Sequence, residues 1–424
     1  MASPKVTDIN WQGQEVDEAT IEKREFRERG DQRYSLEISP LGITFEVDRL
    51  RRQSKELIGE VSVTVGPRFK GARGVNGVLT SGDLNLSSVQ ARSTRAKLLA
   101  ERSKAEHLDW FGFVEEFVTN VIQAERTGKP AVVLADLVVD DDDADTWIVG
   151  DVPILKSLPM VLFGSGGAAK SYLAMWIAGS LAQQDIPVLY ADWEFSAKDH
   201  RKRLGKLFQP MPKALYYVTC ERPLVDEVDR LVRLVREHRC QYVVCDSMVF
   251  ALNGPADDEH AGVYFRALRQ LRVGSLNIAH TTKTDDDREK QVYGSVFFQN
   301  GARSIWFSQR ADQSPHGELQ IGLYHRKSNV GELLKPKGFV LKFSRDITRV
   351  ERIAIDDVDE LADKLPILDR MKRALVKGAL TVKQLADDTN APQPTIRKVL
   401  SRHKSLFVRI GTNKVGLASQ DLEF

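Results

Sequence analysis

The residues best suited to chemistry lie near the middle of the chain, in Gly164-Ser-Gly-Gly-Ala-Ala-Lys-Ser171, after the apolar run Met160–Phe163 and before a stretch of helical periodicity. A strand that turns through glycines into a helix gathers backbone N–H groups and the positive end of the helix dipole at one point, where they suit phosphate oxygens. The phosphate-loop pattern asks for Gly, four residues, Gly, Lys and then Ser or Thr. Here Gly164, Ser165, Gly166, Gly167 and Ala168 make the bend, Ala169 replaces the last glycine, and Lys170, Ser171 and Tyr172 open the helix. Alanine is the smallest side chain that can stand there, and the glycines before it keep the bend permissive. Residues Gly164 to Tyr172 are therefore the expected contact surface for ATP. Lys170 would neutralise β- and γ-phosphate oxygens, and the Ser171 hydroxyl would ligate Mg2+. Alone, the segment also fits an ordinary glycine-rich turn between strand and helix.

Two carboxylates downstream favour the chemical reading. Tyr242-Val-Val-Cys-Asp246-Ser247 is an apolar strand ending in an acid, the place from which a Walker B aspartate holds the water shell of magnesium. Val188-Leu-Tyr-Ala-Asp192-Trp-Glu194 ends a second strand in two acids. Glu194 is placed to polarise the water that attacks a γ-phosphate, and Asp192 competes for the assignment.

These residues, with Ala279-His280-Thr-Thr-Lys283 and Gly294-Ser295 leading to Gly301-Ala302-Arg303-Ser-Ile-Trp306, stand in one order. In that order the block from Trp147 to Phe343 resembles the RecA-like ATPases of the hexameric helicase group. The plasmid replication helicases of the RepA group are nearest, and the DnaB-like helicases more distant. The resemblance covers a little under half the chain. It implies that His280 senses the γ-phosphate and that Thr281–Asn300 is a DNA-facing loop, with Lys283, Arg288 and Lys290 meeting phosphates despite the acidic Asp285-Asp-Asp287 among them. It also implies a cation supplied by a neighbouring subunit, for which Arg326 and Lys327 are the candidates, with Arg303 a third.

Those residues need a scaffold. From Trp147 short Val-, Ile- and Leu-rich runs alternate with helical stretches, which predicts a parallel sheet covered on both faces. Leu319–Tyr324 and Phe339–Phe343 read as added antiparallel strands. The fold class expected is α/β, a RecA-like core over residues 147–350 between two smaller parts. Before it, residues 1–32 are charge-mixed and expected as a mobile leader. Residues 33–139 alternate apolar and polar in three runs from Tyr34, followed by a Gly- and Arg-containing loop from Pro67 to Gly82 and two helical stretches, a small α+β domain. Asp140-Asp-Asp-Asp143 marks a linker of like charges. After it, residues 362–424 read as three helices and a hairpin around Gly411, a winged helix-turn-helix. There Gln393–Lys404 sets its cations opposite Ile396, Val399 and Leu400, so Thr395, Arg397 and Lys398 are candidate DNA contacts.

Bulk properties exclude less. Sixty-one Lys and Arg against 59 Asp and Glu leave a net charge of +2, which neither requires nor excludes nucleic acid. Cys220, Cys240 and Cys245 have no metal-site spacing and read as apolar fillers in a reducing compartment. No run approaches the roughly 20 apolar residues that span a bilayer, and Met1–Arg29 is too polar for a signal peptide, so a cytoplasmic protein without membrane contact is expected. The leading expectation is an ATP-driven motor on single-stranded DNA, a homo-oligomer with a hexameric ring favoured, serving replication, recombination or repair of a mobile element. A recombinase-like filament and a DNA-binding switch without motor activity are the alternatives.

Overall fold

The computed structural model describes residues 24–29, 32–128, 131–137, 145–282, 291–294 and 296–418. The chain divides into two compact units, Met1–Val139 and Asp140–Phe424.

In the first unit a five-stranded antiparallel meander runs in chain order, β1 Arg24–Glu28, β2 Tyr34–Ile38, β3 Ile43–Gln53, β4 Glu56–Val65 and β5 Val78–Asn85. Helices α1 Val89–Ser103 and α2 Trp110–Thr127 follow. Leu36, Phe45, Val61 and Val63 of the sheet share a core with Leu99, Phe117 and Val121 of the helices. Strand β1 corrects the expectation that the chain up to residue 32 is a leader. Its Phe26 stacks on Tyr34 with centroids 5.7 Å apart, and Arg24 pairs with Glu116 at 2.6 Å. One aromatic anchor and an ion pair hold an otherwise charged edge strand, whose charges suit an unpaired outer rim. The rest of the leader, before Arg24, and Asp140–Asp143 lie outside the described residues. Strand β5 likewise begins inside the stretch read as the Pro67–Gly82 loop.

The second unit opens with a hairpin, β6 Thr146–Val149 and β7 Val152–Leu155, and then builds one nine-stranded sheet. Its strands are β8 Pro159–Gly164, β9 Val188–Asp192, β10 Leu215–Thr219, β11 Tyr242–Asp246, β12 Gly274–His280, β13 Ser304–Arg310, β14 Glu318–Ser328, β15 Lys337–Phe343 and β16 Thr348–Ile353. The order across it is β10-β9-β11-β12-β8-β13-β14-β15-β16. The strands from β10 to β13 are parallel, and β14, β15 and β16 continue antiparallel. Mixed α/β with a parallel-rich sheet is what the alternating apolar runs imply.

Alternation within each parallel strand feeds two cores. Val161, Phe163, Val243 and Cys245 pack on one face with α5 Leu224–Glu237 and α6 Asp258–Gln270. Met160, Leu162, Tyr242 and Val244 pack on the other with α3 Lys170–Gln183 and α4 Ala197–Leu207. A strand apolar on both faces is stable only in the middle of such a sandwich, so the sequence of β8 and β11 fixes them centrally. Helix α7 Val296–Gly301 precedes β13. After the sheet come α8 Asp359–Ala362, α9 Ile367–Val376, α10 Val382–Asp388 and α11 Gln393–Arg402, with a three-stranded sheet of β17 Leu380–Thr381, β19 Lys414–Leu417 and β18 Phe407–Ile410 in that order. Thr381 and Gln384 form a reciprocal capping box at the start of α10.

Candidate nucleotide site

The loop between β8 and α3 is held from below by β13. Gly164 pairs with Ser308 in register, and a Cβ at Gly164 would come within 2.4 Å of the Ser308 carbonyl oxygen, so only glycine fits. The Ser308 hydroxyl donates to the Ala168 carbonyl at 2.7 Å and fixes the loop's far side. Gly167 and Ala169 are both left-handed, with φ of +75° and +53°. Ala169 thus adopts the conformation that glycine takes more cheaply, at a cost on the order of 1 kcal/mol.

At the loop's centre the Lys170 ammonium, 7% exposed, donates to the carbonyls of Gly164 and Ser165 at 2.9 Å each. Burial pulls it below the ordinary lysine value, with the charges of Asp246 and Glu194 acting the other way. Asp246, 1% exposed, closes the neighbouring β11. Burial pushes its carboxyl up, with Glu194 and Asp192 adding to this against hydrogen bonds from Tyr190 and Ser171. The Tyr190 hydroxyl donates to Oδ2 at 2.8 Å, while Oδ1 is buried with no partner among the described residues. Lys170, whose hydrogen bonds go to neutral carbonyls, lacks a directly bound anion, and the unsatisfied oxygen of Asp246 lacks a directly bound cation among the described residues. An anion at the loop together with a divalent cation beside Ser171 would supply both. No cluster of three or more His, Cys, Asp or Glu that could hold a metal occurs among the described residues. That donor set, one carboxylate and one hydroxyl, fits Mg2+, which takes few protein ligands and completes its shell with phosphates and water.

The geometry separates the two acids after β9. Asp192 is fully buried and consumed by its surroundings. Its carboxylate accepts from the backbone N–H groups of Glu194 at 3.0 Å and Phe195 at 3.1 Å and from the Tyr217 hydroxyl at 2.7 Å, with His200 Nε2 at 3.1 Å. Burial alone would raise it, but hydrogen bonds from His200, the turn and Tyr217 outweigh this and hold it below the usual range. It shapes the turn that presents Glu194. Glu194 accepts from the Ser247 hydroxyl, and its Oε1 lies 3.6 Å from His280 Nε2. The His280 bond, then those of Ser247 and the charges of His280 and Lys170, hold Glu194 below the ordinary value against its partial burial. His280 pairs in register with Gly164, so the adjacent strand carries it to the phosphate loop.

The structure thus gathers Gly164 to Ser171, Glu194, Asp246 and His280 at the C-terminal edge of the parallel sheet, where open α/β sheets bind ligands. Tyr172 packs edge-on against Phe343, with the Arg203 guanidinium 4.7 Å over its ring. Arg303, Arg326 and Lys327 stand elsewhere. The Arg303 N–H bonds the Pro159 carbonyl at the opposite end of β8, and Lys327 lies in register with Ile305. The Lys327 ammonium donates to the carbonyls of Gln299 at 2.6 Å and Ala302 at 3.0 Å, and Arg326 lies 5.1 Å over the Phe307 ring. Lys283, Arg288 and Lys290 lie outside the described residues. Their segment is entered by Thr281 bridging to Val292. Thr395, Arg397 and Lys398 are exposed on α11, opposite buried Ile396 and Val399.

Sequence reasoning missed Tyr190 and Arg310. Tyr190 lies two residues before Asp192 on one strand face, so strand periodicity carried the signal. Arg310 ends β13, and its Nη1 would lie 3.4 Å from a Cβ at Gly167, which puts an exposed cation against the phosphate loop. Only the sheet order reveals it.

Residues 123–286 match the family model described as an AAA domain, a span under half of the chain that includes Lys170, Glu194, Asp246 and His280. No curated protein matches the chain. Among solved structures, the chain is similar to a KaiC-like protein from the hyperthermophilic archaeon Pyrococcus horikoshii, at 14% identity and a TM-score of 0.37 over 47% of this chain and 91% of that one. It is also similar to the ATPase domain of G40P, at 13% identity and a TM-score of 0.37 over 45% of this chain and 83% of that one. The match of residues 123–286 supports an ATPase domain, and such a domain implies bound nucleotide.

Proposed function

We propose that the protein is an oligomeric ATP-driven motor on DNA, with single-stranded DNA as its track. The observation that carries the ATPase part is the meeting of Lys170, Asp246, Glu194 and His280 at one sheet edge, with Lys170 bonded to neutral carbonyls and Asp246 keeping an unsatisfied oxygen. Lys170 would exchange its two carbonyl partners for β- and γ-phosphate oxygens, regaining the stabilisation that burial withholds. Ser171 and Asp246 would hold Mg2+, which when bound supplies charge neutralisation to the phosphates. Glu194, an anion at neutral pH, accepts a hydrogen bond from water and orients it for in-line attack. Its lowered basicity favours orientation over proton removal. His280 touches Glu194 and is adjacent to the loop, so it can report nucleotide state to the segment that starts at Thr281.

The motor part rests on the resemblance in motif order to ring helicases. In that reading Lys283, Arg288 and Lys290 meet the strand, Arg326 or Lys327 completes a neighbour's site, and residues 362–424 act as a winged helix with Thr395, Arg397 and Lys398 toward DNA. A hexameric ring is the assembly proposed.

ATP hydrolysis by wild type and Lys170→Ala, with and without single-stranded DNA, tests both parts. Wild type is expected to hydrolyse ATP faster with the strand, and the variant to lose at least a hundredfold in rate under either condition, on the order of 3 kcal/mol of transition-state stabilisation. Equal wild-type rates with and without strand would remove the motor and leave the ATPase. Full activity in the variant would remove both.

A further inference from the structure

The first unit carries a charged loop to which no part of the ATPase reading gives a task. Between β4 and β5 the chain reads Gly66-Pro-Arg-Phe-Lys-Gly-Ala-Arg-Gly-Val-Asn-Gly77, with three cations and no acid. Arg68, Lys70 and Arg73 are exposed, and none forms an ion pair among the described residues. The loop is nevertheless held in shape. The Arg73 N–H donates to the Arg102 carbonyl at 2.7 Å, and Arg102 Nε returns a bond to the Arg73 carbonyl at 2.9 Å, which ties it to the C-terminal end of α1. Lys104, exposed, follows at that helix's left-handed cap. Val75 and Val78 exchange both backbone bonds across Asn76 and Gly77, whose φ values of +53° and +82° make the tight primed turn that Asn-Gly favours.

Under this frame is a cleft of about 360 Å3, bounded by Gly66, Pro67, Phe69, Gly74, Asn76 and Gly77. Gly74 has no room for a side chain, since its Cβ would lie 2.7 Å from the Val78 carbonyl oxygen, while Gly71 faces open space. Phe69 packs against Trp110 with centroids 6.3 Å apart, and Val75 at the tip is 73% exposed.

We infer that this loop binds the sugar–phosphate backbone of a single-stranded nucleic acid. Cations spread along a pinned segment match a line of phosphates, where a single small anion would call for cations converging on one point. Gly71, which faces open space, admits close approach of a backbone, and the exposed apolar tip at Val75, with the half-buried Phe69 ring in the same loop, suits unpaired bases. This contact goes beyond the motor reading, because it needs neither nucleotide nor the segment after His280.

The test is the anisotropy of a labelled oligothymidylate titrated with full-length protein, without nucleotide, across a salt series. Arg68→Glu, Lys70→Glu and Arg73→Glu are combined in one variant and the three alanine replacements in a second, each judged folded by wild-type circular dichroism and resistance of the first unit, residues 1–139, to limited proteolysis. The charge reversal is expected to weaken binding at least tenfold. The alanine variant lowers the slope of log affinity against log salt by about 2, from three phosphate contacts at roughly 0.7 each on a single strand. Unchanged affinity and slope in both variants overturn the inference, as does a wild type that does not bind the strand. If Lys283, Arg288 and Lys290 replacements abolish binding and the loop variants do not, the motor survives and this contact falls. If the loop variants lose binding but the strand never stimulates wild-type ATPase, the contact stands and the motor falls.

Discussion

Ala169 and Glu194 show how one side chain decides what a phosphate site costs and what it can do. Ala169 is left-handed at +53°, in the place where the phosphate-loop pattern has glycine. Ala169→Gly removes a strain of about 1–2 kcal/mol and adds unfolded-state freedom worth about 0.4–1 kcal/mol, so the core should gain on the order of 0.5–1 kcal/mol. A urea transition of the core followed by tryptophan fluorescence checks the sign; a less stable variant would mean that the methyl group packs better than it strains. Glu194 is held below the ordinary carboxylate range chiefly by His280. A depressed value keeps the carboxylate charged as pH falls, so the acid limb of kcat/KM should lie below the usual glutamate range. His280→Asn removes the main cause and should move that limb upward, toward neutral pH, as well as lowering the plateau. An unmoved limb would show that Glu194 is not the group whose ionisation the rate follows.

At the scale of elements, what was legible depended on whether a residue's neighbours are near in sequence or only in the sheet. Strands β8, β9 and β11 were readable because each is apolar on both faces, a pattern only a covered parallel sheet makes stable, whereas β12 sets Leu276 and Ile278 on one face and buried Ser275 and Asn277 on the other. Helix α11 was readable because Ile396 and Val399 recur at helical spacing beneath exposed Thr395, Arg397 and Lys398. Strand β1 was not, since its sole aromatic, Phe26, gives no period and finds its partner Tyr34 only across a turn. The choice between Asp192 and Glu194 was not legible for a related reason. Both end the same strand, and what separates them, Tyr217 and His200 closing on Asp192, comes from β10 and α4. Arg310 reaches Gly167 because β13 lies beside β8, an adjacency between segments more than a hundred residues apart in the chain. Short-range chemistry showed in the sequence, whereas cross-sheet chemistry required the strand order.

For the whole molecule, the decisive question is whether one chain contains a complete site. Arg310 is an exposed cation of the same chain against the phosphate loop, yet Arg326 and Lys327 stand on β14, away from their own Lys170 and engaged with Phe307 or with the carbonyls of Gln299 and Ala302. If either cation acts, it must act on a neighbouring copy. Mixing tests this directly. Glu194→Gln alone should bind ATP without hydrolysing it, and Arg326→Ala or Lys327→Ala alone should do the same. In an assembly mixed one to one, about a quarter of interfaces join an intact Glu194 to an intact cation when subunits associate at random in a closed ring of heterologous contacts. Hydrolysis should therefore return to roughly that fraction of the wild-type rate, because transition-state charge is again met at those interfaces. Restoration with one cation variant and not the other identifies which of the two acts. Mixtures as inactive as their parents would mean that the cation serves its own chain or none, and that assembly is not needed to complete the site.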